Sequence, residues 1–150
     1  MSLEIENIIK ILSEDLDVDL YLDANQSCCI ILNDAIKIQL ELDKSRQNLI
    51  LASHLFELAP GKFRENVLKA AIKSNYGLEK GIGTLSYLPR NSALVLYEII
   101  PLVFLTESKL FSLFMSFYQK GLFWIENLKS SSIPQFISSK GEQPPAGRKA

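Results

Sequence analysis

Between residues 5 and 16 the apolar side chains Ile5, Ile8, Ile9, Leu12 and Leu16 recur at steps of one, three and four, which gathers them on one face of an amphipathic helix. Ser2 stands where an N-cap belongs, and Glu4 and Glu6 lie at the end of the helix dipole that favours negative charge. Ile11 falls off the stripe. The pattern then switches to alternation. "CCIIL" (28–32) and "AIKIQLELD" (35–43) flank Asn33 and Asp34, a pair suited to the left-handed angles of a two-residue hairpin loop. In the second run Ile36, Ile38, Leu40 and Leu42 face one way, and Lys37, Gln39, Glu41 and Asp43 the other. That is an antiparallel strand with one wet face. "NLILASHLFEL" (48–58) makes a third strand, apolar on both faces for part of its length.

Pro60 and Gly61 end this sheet segment, and the spacing of Phe63, Val67, Ala70 and Ser74 predicts a short helix over 62–74, with Asn75 and Gly77 as stop signals. "GIGTLSYL" (81–88) and "SALVLYEII" (92–100), joined through Pro89, Arg90 and Asn91, predict a second hairpin. Thr106 and Glu107 open a longer helix that runs to Lys129. Leu110, Phe114, Phe117, Gly121, Trp124 and Leu128 form its stripe, widened by Phe111, Tyr118, Leu122 and Ile125. So much aromatic area belongs against a sheet or another helix. The order is α-β-β-β-α-β-β-α, an α+β domain over residues 1–129 on an antiparallel sheet. Residues 130–150, rich in Ser, Pro, Gly and Lys, are expected to form a flexible tail.

Composition removes function classes more than it adds them. The 150 residues are 47% hydrophobic and 22% charged, as in an ordinary globular domain, and the formal charge of -1 gives no global field for nucleic acid or anionic membrane. No uncharged apolar run approaches the roughly 20 residues of a membrane span. The start "MSLEIEN" lacks a basic leader, and Cys28 and Cys29 are adjacent, a poor arrangement for a mutual disulfide. A reducing cytosol is the expected setting. His54 is the single histidine, too few for a metal site or an acid/base pair without partners. Glu4/Glu6, Asp15/Asp17 and Glu41/Asp43 lie in polar faces or turns, and "GIG" at 81–83 lacks phosphate-loop spacing and precedes a strand. Lys62, Arg64, Lys69 and Lys73 share the short helix as a solvated face. No enzyme, cofactor or metal is expected.

The chain does resemble a known family. Gly83, Leu85, Tyr87 and Leu88, then Leu94, Val95, Leu96, Ile100, Pro101 and Leu102, then Leu110, Phe114, Phe117 and Trp124 follow the order seen in class I type III secretion chaperones, the Tir-chaperone (CesT-like, SycE-like) family. The resemblance implies a homodimer in the bacterial cytosol that keeps the N-terminal region of a secreted effector extended without ATP, with the secretion ATPase a further partner. It implies an apolar effector groove on the first helix and strands, for which Ile11, Leu20, Tyr21, Leu22, Ile30, Leu49 and Leu51 are the candidates. It also implies a dimer interface on the short helix and second hairpin, with Val67, Ala70, Leu85, Tyr87, Leu94 and Leu96 as candidates. Such a family is usually more acidic than this chain. Two other classes stand beside it: a scaffold of the same fold that binds a folded subunit, and a small-ligand sensor built around His54 and Tyr21.

Overall fold

The computed structural model describes residues 4–77 and 80–135. Helix α1 (Ile5–Leu16) is followed by strands β1 (Cys28–Leu32), β2 (Ile36–Leu42) and β3 (Asn48–Glu57), helix α2 (Lys62–Ser74), strands β4 (Thr84–Leu88) and β5 (Ala93–Pro101), a single 3-10 turn (Leu102–Phe104) and helix α3 (Glu107–Lys129). The five strands form one antiparallel sheet in the order β1-β2-β3-β5-β4. The long β3–β5 pairing therefore closes over the intervening α2 and β4. The α+β class and the order of elements agree with the expectation from the pattern.

Alternation decides the inner face. Cys28 and Ile30, Ile36, Ile38 and Leu40, Leu49, Leu51 and Leu55, and Leu94, Leu96 and Ile100 all point into one core. Helix α3 lies across β2 and β3, and α1 packs on α3. Phe114, Phe117 and Trp124 fill the space between α3 and the sheet and are fully buried, each contributing roughly 1.5–3 kcal/mol of apolar transfer. Gly121 lets α3 approach: a Cβ there would sit 2.5 Å from Ile36 Cδ1. Tyr118 Oη accepts a 2.7 Å bond from Asn33 Nδ2, tying the first hairpin to the same helix.

Local differences from the sequence reading have local causes. Helix α1 is capped by Glu4, with no side-chain bond, and Ser2 lies outside the described residues. Asn33 and Asp34 are both left-handed as expected, but Leu32 pairs with Ile36, so the loop has three residues and includes Ala35. A bulge between His54 and Phe56 sets Leu55 outside the ladder while keeping it in the core. The chain stays on the domain past Lys129: Ile133 packs against the core and Pro134 is buried beside α2. The remainder of the expected tail, 136–150, lies outside the described residues.

Candidate functional site

The two edges of the sheet differ. Strand β4 is an outer strand, and a side chain occupies the free backbone groups of Leu85. The Asn75 amide, one residue beyond α2, accepts from Leu85 N–H at 2.9 Å and donates to Leu85 C=O at 2.8 Å, as a neighbouring strand would. Just before β4, Gly83 N–H donates to Glu98 Oε1 at 2.7 Å, and Gly83 C=O accepts from Lys120 Nζ at 2.7 Å. Lys120 Nζ also donates to Lys80 C=O at 2.9 Å. Burial pushes its pKa down to about 8, with the charge of Lys80 adding to the effect and Glu98 opposing it. Gly83 is required there, since φ is +97° and a Cβ would meet Leu96 Cδ1 at 2.8 Å. Arg64 stacks over the Tyr87 ring and donates to its hydroxyl. This edge is capped at Leu85.

Strand β1 ends the sheet on the other side, and among the described residues no strand pairs with its outer edge. An unpaired strand edge is a ready template for another chain. Ile31 stands out from it, 58% exposed. The segment leading into β1 is held down by Ser13 Oγ, which accepts from Leu20 N–H at 3.2 Å, and by an Asp23 turn that closes on Ser27. It leaves Tyr21 76% exposed between half-buried Leu20 and Leu22. Bare strand edge and exposed apolar side chains thus adjoin.

The groove residues expected from the sequence divide into two sets. Ile11, Leu20, Tyr21 and Leu22 reach the surface. Ile30, Leu49 and Leu51 are core residues, turned inward by the strand period beneath α1 and α3, and cannot touch a partner directly. The expected interface residues divide likewise. Val67, Leu85, Leu94 and Leu96 are buried inside the protomer. Ala70 lies under the chain at Ile133, and Tyr87 is half-buried beneath Arg64.

Exposed apolar positions that sequence reasoning passed over lie on the opposite sides of the same elements. On α2 this is Ile72, with Leu68 half-buried one turn before it, and Tyr76 follows just past the helix end. On the outer sheet face they are Tyr97 and Ile99, followed by Val103 and Phe104 in the 3-10 turn. The β5 run "VLYEI" carried a signal, because its alternate positions Val95, Tyr97 and Ile99 are apolar as well. His54 is exposed on that outer face, remote in the ladder from the Tyr21 segment, and builds no pocket with it. Burial raises the Cys28 thiol pKa, as expected of an unreactive thiol. No cluster of metal-ligating side chains occurs among the described residues.

The model of the Tir chaperone protein (CesT) family matches residues 7–124. The chain belongs to the CesT family. That family is one of chaperones rather than enzymes, in accord with the expectation from the residues. Compared with curated protein sequences, this CesT-family chain has no match. Among solved structures, it is similar to one in the HopA1–SchA chaperone–effector complex, at TM-score 0.64 and 20% identity over 81% of this chain and 92% of that one. It is similar to one in the ExsC–ExsE complex at TM-score 0.65 and 16% identity, over 84% and 96%. A chain of the heterodimeric ExoU–SpcU complex from the type III secretion system of Pseudomonas aeruginosa matches at TM-score 0.61 and 14% identity, over 81% and 96%. At such identities the likeness is one of fold. No helix among the described residues is long and apolar enough to cross a membrane.

Proposed function

We propose that this chain is a bacterial, cytosolic chaperone of a type III secretion system that binds the N-terminal region of an effector in extended form and keeps it fit for secretion, without ATP. The observation that carries the reading is the one-ended sheet. Asn75 caps Leu85 on β4, and Glu98 and Lys120 hold Gly83 just before it, while among the described residues β1 has no strand on its outer edge and is bordered by exposed Ile31 and Tyr21. A strand added at β1 gains main-chain hydrogen bonds along the edge, and alternate side chains find apolar contacts beside α1. Such binding needs area and many weak contacts, not a catalytic centre. The similar HopA1–SchA structure is a chaperone–effector complex and fits the same use of the fold.

A second copy is the other partner this reading includes. Its surface on this chain is the outer side of α2, where Leu68 and Ile72 stand one turn apart and exposed Tyr76 follows just past the helix end. The test is purification from the native cytosol under mild conditions, read by light scattering and native mass spectrometry with limited proteolysis. A dimer holding a protease-sensitive N-terminal segment of a larger protein is the expected result. A monomer, or a complex with a folded subunit only, contradicts it.

A further inference from the structure

Two depressions on the helical side of the protein share Glu14. One lies between α1 and the first turn of α3, lined by Ile11, Glu14, Asp15, Glu107, Ser108 and Phe111. The other follows the last turn of α1, lined by Ser13, Glu14, Asp17, Val18 and Asp19. Half-buried Ile11 and Phe111 make an apolar floor, and Val18 extends it toward Leu20 and Tyr21. The rim is carboxylate: Glu14, Asp15, Asp17, Asp19 and Glu107 are all exposed, and among the described residues none of them is in an ion pair.

The formal charge of -1 conceals a separation. Residues 4–23 hold seven carboxylates against Lys10 alone. Helix α2 holds Lys62, Arg64, Lys69 and Lys73 against Glu65, which is already paired with Lys62 and Lys69. The groove therefore sits in the acidic part of the molecule. Unpaired carboxylates gathered on one rim repel each other and repel an acidic partner, while a cationic partner relieves that repulsion and is steered toward the groove. The floor meanwhile needs apolar side chains to cover it.

We infer that the groove between α1 and α3 takes a partner segment in which Lys or Arg residues interleave with aliphatic or aromatic ones. This rests on the chaperone reading above and specifies the kind of effector segment taken. The apolar floor provides the hold, and the rim selects by charge.

The test uses three synthetic 20-residue peptides against the full chain, with fluorescence anisotropy at low and at physiological salt. One alternates Leu or Ile with Lys or Arg, one carries Glu at those polar positions, and one keeps the cations but replaces the apolar residues by Ser and Gly. The first should bind at least tenfold more tightly than either of the others. The variant combining Glu14→Gln, Asp15→Asn and Glu107→Gln, folded by its urea midpoint, should lose about tenfold for the first peptide, with a weaker salt dependence. Equal binding of the cationic and acidic apolar peptides, or of the two cationic ones, overturns the inference, as does unchanged binding by the variant. If deletion of residues 136–150, which include Lys140, Arg148 and Lys149, raises the affinity more than tenfold, the chain's own end is the occupant and the inference also falls. Failure of the peptides alongside a chaperone that still co-purifies with an effector segment removes only the charge rule. Absence of any such complex removes the chaperone reading itself.

Discussion

Leu96 was a candidate for the dimer interface, and its surroundings make it a core residue with a measurable consequence. It is 0% exposed. Gly83 approaches its side chain from just before β4 and Gly121 from α3, so that a Cβ at either would lie 2.8 Å from Cδ1 or 3.6 Å from Cδ2. Leu96→Ala removes three carbons, about 2.4 kcal/mol at about 0.8 kcal/mol per buried CH₂. Two neighbours that have no side chain cannot relax into the space, so the cavity contribution is close to fully felt and adds about 1–2 kcal/mol. The expected loss is about 4 kcal/mol. With a urea slope of about 2 kcal/mol/M, the midpoint falls by about 2 M. Because dimer stability depends on protomer concentration, the titration is run at two concentrations tenfold apart. The core placement predicts the same drop at both, and an unchanged assembly state for whatever remains folded. A loss below about 1.5 kcal/mol, or one that appears only as dimer dissociation, refutes it.

Four further outcomes follow from the geometry. The Lys120 pKa of about 8 lies below its ordinary 10.5, so between those values the folded chain binds fewer protons than the unfolded one and stability rises with pH; wild type should gain on Lys120→Met in urea midpoint from pH 7.5 to 10, and a flat or falling difference would sink the assignment. Asn75→Ala should cost about 1 kcal/mol and, by opening the β4 edge, produce concentration-dependent association seen by light scattering; a variant that stays as dispersed as wild type would show the edge needs no cap. Tyr21→Asp should change stability by no more than about 0.5 kcal/mol while weakening effector binding, whereas Ile30→Asp should prevent folding; unfolding of the Tyr21 variant would place that residue in the core. Ile72→Asp should convert dimer to monomer without protomer unfolding, and a persistent dimer would move the interface away from α2.

The outline of the fold was legible because its signals are local. Two hydrophobic periods separate helices from strands, and left-handed Asn33 and Asp34 mark the first turn. The orientation of single side chains was less legible. Val67, Leu85, Leu94 and Leu96 lie in the expected elements but point inward, and only the packing of α2, β4 and α3 decides that. Ile30, Leu49 and Leu51 were legible as apolar yet not as covered, since the covering helices come from opposite ends of the chain. The cap on Leu85 and the hold on Gly83 could not be read at all: Asn75, Glu98 and Lys120 come from three separate parts of the chain and meet only through the tertiary fold. Likewise Glu107 joins Glu14 and Asp15 across two helices far apart in sequence.

The central claim is that a partner segment joins the bare side of the sheet and leaves the capped side alone. Hydrogen exchange on the complex purified with its effector, compared with the free chain, tests it most directly. The account predicts new protection in residues 18–23 and 28–32, with β4 unchanged. Protection confined to β4 and α2, or none at β1, would contradict it.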